Sequence, residues 1–260
     1  MKRTVFSQTL KEQRRGLIGW SIGLVIVPMM YLPSYQSLKE QGTLDNIKDN
    51  KLYDAMGMGD FASATGYLQS MVFSLMGSLL LLVFAITFAA RSATQEDNGT
   101  LDLLLAQPIS RTGLLRQRFA ALAVQTGIVT TVFTFAVIAG ADAGRMGIPT
   151  GNIVAGCVGL GLLTLVVGTV TLLMGAITGK RALTLGLASL VALSAYLANN
   201  LGGMFDGADW LRKLSPFSYA IGNSPLVNGW SAVDLAVLAA LIAVGLTAAL
   251  IAFDRRDLAV

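Results

Sequence analysis

Residues 91–118 read RSATQEDNGTLDLLLAQPISRTGLLRQR, a charged and polar island between two long apolar runs, and its reading decides the fold. It is read as a connector carrying a short helix over residues 100–107. Leu101, Leu103, Leu104 and Leu105 make one side of that helix apolar, and Asp102 makes another acidic. Asn98-Gly99 ends whatever helix precedes it, because Gly tolerates the left-handed turn of a helix end. Thr100 supplies a hydroxyl cap. Pro108 stops the helix, since the residue before a proline is pushed out of the helical region. A short, stiff helix between two apolar runs is suited to docking on a partner.

Working outward, the runs on either side establish the solvent. The chain is 54% apolar and 13% charged, against roughly 25% charged in a soluble domain. Its mean hydropathy is +0.64. Apolar runs of about 20 residues match the thickness of a bilayer. There is no histidine, which excludes imidazole general-base catalysis and imidazole metal ligation. The single cysteine, Cys157, lies inside an apolar run and reads as a packing residue. The first apolar run begins near Gly16 behind a polar leader, so no removable signal peptide is expected.

Six spans are expected, at about 16–35, 67–90, 119–140, 152–178, 182–201 and 231–253. Residues 1–15 are expected to form a basic interfacial helix ahead of a permease domain at 16–260, with lysines and arginines meeting anionic headgroups. In span 1, Gly19 and Gly23 have helix-packing spacing and Pro28 marks a kink. The six Lys and Arg of one set of loops are Lys39, Lys48, Lys51, Arg145, Arg212 and Lys213. The other 13 of the 19 fall at the termini, in the island and at residues 180–181. By the positive-inside rule both termini and the island are cytoplasmic.

The island resembles the "E-x-G-T-L-E-x-L-L-x-x-P-I-S-R" stretch of type-2 ATP-binding-cassette (ABC) exporter permeases. The matching residues run from Glu96 through Gly99, Thr100, Leu101, Asp102, Leu104, Leu105 and Pro108 to Arg111. Asp102 replaces the usual Glu, keeping the charge with a shorter reach. A second stretch, Leu214-Ser215-Pro216-Phe217 followed by Pro225-Leu226 and Gly229, is similar to the family's "L-S-P-F … P-L-x-x-G" segment. The resemblance implies an all-α integral membrane protein with six transmembrane helices. Between spans 2 and 3 it implies a coupling helix seated in a groove of a cytoplasmic ABC ATPase. Between spans 5 and 6 it implies a re-entrant hairpin containing Ser215, Pro216 and Phe217. ATP and Mg are implied on the ATPase subunits, none on this chain, and a second permease copy completes a homodimer or heterodimer in the lipid bilayer.

The residues reach the same class without the family. The nearest phosphate-loop pattern, Gly175 to Arg181, has one residue too few between its glycines and Arg in place of Ser or Thr. Gly175 and Gly179 are read instead as small residues at a helix contact. Spans 2 to 5 hold no ionisable residue, and Asp234 lies about one turn into span 6, so ion-driven transport lacks its carriers. No catalytic constellation and no nucleic-acid footprint is present. The cargo path is expected to include Gln125, Thr130, Thr134, Asn199 and Asn200, in a mainly apolar cavity suited to a drug-, antibiotic- or lipid-like molecule. Most mid-span threonines are expected to bond back to their own helix. The alternative reading is a membrane scaffold that recruits a soluble partner through the island.

Overall fold

A computed structural model describes residues 5–42, 63–91, 110–201 and 209–255. Among these there is helix, turn and loop but no strand. Six helices are long and apolar enough to cross a membrane. Span 1 is Val5–Tyr31, prolonged by a 3₁₀ turn at Leu32–Ser34 and a helix at Tyr35–Glu40. Span 2 is Ala64–Ala89, span 3 Arg111–Ala143, span 4 Thr150–Thr178, span 5 Arg181–Leu201 and span 6 Ala232–Arg255.

The boundaries differ from the expected ones for local reasons. Span 1 is unbroken through Arg15 and Gly16, so the basic leader and the first apolar run share one helix. Span 3 starts at Arg111 rather than near residue 119. Ser110 caps it, with an extended backbone and a hydroxyl that accepts from the Gly113 N–H at 3.1 Å. Leu114 and Leu115 are buried just inside, which extends the helix past the point where charge alone would end it. Gly179 is the left-handed stop of span 4, at φ 63°. Its N–H donates to the Gly175 carbonyl, and the Thr178 and Thr184 hydroxyls, 2.9 Å apart, close the turn into span 5.

Span 4 is the centre of the bundle and packs on spans 2, 3, 5 and 6. Its small residues set how closely these approach. A Cβ on Gly159 would lie 2.7 Å from the Ala220 carbonyl oxygen, and one on Gly161 would lie 2.7 Å from the Thr130 hydroxyl. Thr164, Thr169 and Thr171 donate to the carbonyls of Leu160, Leu165 and Val167, so their hydroxyls are satisfied within the helix. That lets the threonine methyl groups pack without an unsatisfied hydroxyl, which suits lipid-embedded helices because apolar burial drives nothing there.

Span 1 packs chiefly on span 3, but not through the expected glycines. Nothing lies within 4 Å of a Cβ placed on Gly19 or Gly23. The close approach is made from span 3, where Gly140 and Gly144 meet Pro28 and Leu32. Span 2 contains a feature with no sequence mark, a π-helical stretch at Gln69–Met76. It is completed by Gly77, where any Cβ would collide with the Val72 carbonyl and lie 2.9 Å from the Phe133 ring. Ser78 donates its hydroxyl to the Phe73 carbonyl, one of the groups that the wider turn displaces.

Candidate functional site

One end of the bundle gathers the start of span 1, the end of span 2, the start of span 3 and the turn between spans 4 and 5. Between them lies a cavity of about 370 Å³. Arg91, Arg118 and Arg181 line it together with Glu12, Gln13 and Gln125, over an apolar base of Phe88, Leu122 and Leu172. Arg118, Leu122 and Gln125 fall on one face of span 3, at helical spacing. Arg91 lies against the Phe88 ring, its guanidinium carbon 5.2 Å from the centroid. Gln125 is 1% exposed and its amide nitrogen has no hydrogen-bond acceptor. A buried donor without a partner costs on the order of 1–3 kcal/mol, so this position asks for an oxygen.

The other residues expected on a cargo path are not gathered with Gln125. The Thr130 hydroxyl is buried against Gly161 without a partner, and Thr134 donates to the Thr130 carbonyl at 2.8 Å. Asn199 and Asn200 close span 5. Asn200 donates to the Tyr196 carbonyl at 2.9 Å, and the Asn199 side-chain oxygen is buried and unpaired. Of these five residues, Gln125 is the one that lines the cavity described above.

At the opposite end, the chain between spans 5 and 6 folds into short helices at Asp209–Leu214 and Pro225–Asn228 with a π turn at Ser218–Gly222. Ser215 is its anchor. The Ser215 hydroxyl donates to the Ala195 carbonyl of span 5 at 2.7 Å and accepts from the Phe217 N–H. Phe217 is fully buried, edge-on to Tyr196 with centroids 5.5 Å apart. Pro216, half-buried between them, fixes the turn. The aromatics of this segment therefore divide, since Trp210 and Trp230 are more than half exposed while Phe217 is core.

A second cavity of about 500 Å³ sits here, bounded by the segment and spans 4 and 6. The Asn223 amide donates to both Asp234 carboxylate oxygens, at 2.9 and 2.7 Å. Asp234 is 6% exposed, and its own N–H meets the Ser231 hydroxyl that caps span 6. This clamp was not anticipated. Its one sequence signal is the spacing Ser231-x-x-Asp234, a capping-box pattern just before an apolar run. A further link also escaped the sequence reading: Gln69, in the π stretch of span 2, donates to the Ile221 carbonyl at 3.1 Å. Span 2 thus leads to the island at one end and holds the folded segment at the other. The docking residues Glu96, Gly99, Thr100, Leu101, Asp102, Leu104, Leu105 and Pro108 lie outside the described residues.

Six spanning helices among the described residues, with no strand, basic at one end and clamped by short helices at the other, fit a multi-pass membrane protein. More particularly, the chain belongs to the family described as the multidrug efflux system permease Rv1217c, C-terminal domain, whose model matches residues 3–254. A search of curated proteins finds no match.

Proposed function

We propose that the chain is the transmembrane subunit of a type-2 ABC exporter that moves an amphipathic or apolar cargo outward across a bacterial cytoplasmic membrane. The observation that carries this reading is a permease family spanning residues 3–254 in a chain that holds a docking motif but no nucleotide site in its sequence. Efflux against a gradient needs an energy source, so ATP and Mg belong to separate cytoplasmic ABC ATPase subunits. The short helix at residues 100–107 seats Leu101, Leu104 and Leu105 on the ATPase, with Glu96 and Asp102 facing basic groups. Gly99 and Pro108 set its ends.

Closure of the ATPases pulls on the island, and span 2 carries the displacement. The Gln69–Ile221 hydrogen bond supports this route, because it ties the far end of span 2 to the folded segment before span 6. That segment acts as a re-entrant plug on the outer side. Exposed apolar residues on spans 1, 5 and 6, among them Ile22, Leu190 and Val244, face lipid and a second permease copy. Both termini lie on the cytoplasmic side with the island.

Replacing Leu104 and Leu105 with Asp tests the reading. The doubly substituted chain should still insert and purify as the wild type does, yet lose the co-purifying ATPase and ATP-dependent efflux. Retention of both would overturn the docking role. Retention of a soluble partner that hydrolyses no nucleotide would instead favour the scaffold reading, which rests on the same island.

A further inference from the structure

We infer that the cavity between the start of span 1 and spans 2, 3 and 4 binds the phosphate headgroup of an anionic membrane lipid. Three guanidinium groups, from Arg91, Arg118 and Arg181, line it, and Glu12 is the one acid among the described lining residues. Among the described residues, cationic groups therefore outnumber acids around the cavity even with Arg118 set aside. Guanidinium forks match phosphate oxygens in number and direction, two N–H groups to two oxygens.

The independent observation is Gln125. Its side chain is 99% buried, lines the cavity, and its amide nitrogen meets no acceptor. An anion in the cavity would supply the oxygen that this group lacks. Gln13, 5% exposed, comes from the facing helix of span 1 and adds a second neutral amide. No proton needs to move for the anion to bind, because arginine stays charged and amides do not titrate.

The cavity's level points to a lipid. Its charged residues sit where spans 2 and 3 meet their connector and where span 5 begins, at the basic end of the bundle, while Phe88, Leu122 and Leu172 continue the wall toward the apolar middle. A cationic mouth over an apolar wall fits a molecule with a phosphate head and acyl chains. Basic pockets between spanning helices on the cytoplasmic side are recognised sites for such headgroups. The inference requires the basic end to face the inner leaflet but does not require ATP-driven transport, so loss of ATPase docking leaves it standing.

The test uses the full chain purified in dodecyl maltoside. Native mass spectrometry then measures retention of dioleoyl phosphatidic acid and of dioleoyl phosphatidylglycerol against dioleoyl phosphatidylcholine, with and without excess inorganic phosphate. The anionic lipids should be held at least about tenfold more tightly than the zwitterionic one, the scale of one or two basic contacts. Arg181→Gln, at an exposed position that cannot unfold the bundle, should reduce that preference several-fold. Gln125→Leu should do likewise, with unchanged retention of phosphatidylcholine. Displacement of the bound lipid by inorganic phosphate would keep the anion site and assign it to soluble phosphate. Equal retention of anionic and zwitterionic lipids, or a preference untouched in both variants, would overturn the inference.

Discussion

Gly159→Ala puts the packing argument for span 4 to its sharpest test. The added methyl carbon would stand 2.7 Å from the Ala220 carbonyl oxygen, about 0.5 Å or more inside ordinary carbon–oxygen contact. Ala220 is in the π turn of the folded segment, and Phe217 and Ile221 beside it are buried, so neither backbone can step aside cheaply. Overpacking of this kind costs about 1–3 kcal/mol. Alanine offsets part of that, because it favours helix over glycine by about 0.8–1 kcal/mol. Gly127→Ala isolates the offset, since nothing lies within 4 Å of a Cβ there.

Cys157 provides the readout. It is the one thiol in the chain and is fully buried, two residues before Gly159 in the same span. Its reaction with N-ethylmaleimide in detergent therefore reports the population of opened molecules. Relative to Gly127→Ala, which carries the same offset, a loss of about 1–3 kcal/mol should speed labelling roughly 5–150-fold. Gly127→Ala should label at the wild-type rate or more slowly. If Gly159→Ala labels no faster than Gly127→Ala, the close approach of span 4 to Ala220 is not structural, and the reasoning fails.

Three further outcomes follow from other contacts. Asp234→Ala leaves the Asn223 amide without its two acceptors and should cost about 1–3 kcal/mol. Hydrogen exchange should then quicken across residues 218–228 while the middle of span 4 stays protected; uniform protection would deny the clamp. Arg145 holds a left-handed backbone at φ 50° where span 3 ends, so Arg145→Gly should stabilise by about 1 kcal/mol, read as a higher midpoint in dodecyl sulfate unfolding. A lower midpoint would show that the Arg145 side chain contributes more than its backbone costs. Gly77→Val should lower yield and thermal midpoint sharply, because its Cβ would strike the Val72 carbonyl and the Phe133 ring. A wild-type melting curve would refute the need for glycine there.

How far the fold could be read from the chain depends on what each feature leaves in composition. The spans could be read because bilayer burial demands long apolar runs, and the six helices lie where those runs are. Helix ends were less legible. Charge located the membrane edge near residue 119, whereas the Ser110 cap and buried Leu114 and Leu115 start span 3 at Arg111. Pair spacing alone could not say what Gly19 and Gly23 face, and nothing described in the chain lies within 4 Å of a Cβ on either. The π stretch of span 2 had no mark, because a single widened turn changes neither composition nor length. At the basic cavity, Gln125 is legible as a mid-span amide, but its convergence with Arg91, Arg118 and Arg181 joins three different helices and has no trace in local sequence. The Asn223–Asp234 clamp escaped for a similar reason, since the amide and the acid fall in separate elements 11 residues apart.

The central claim is that the island grips an ATP-hydrolysing subunit, and a photo-crosslink from position 104 tests it most directly. With Leu104→p-benzoylphenylalanine in the native membrane, irradiation should yield one adduct, to a cytoplasmic subunit that binds ATP and Mg. Efflux by the unirradiated variant should persist. An adduct only to lipid, to a protein on the outer face, or to a soluble protein without nucleotide hydrolysis would contradict the account.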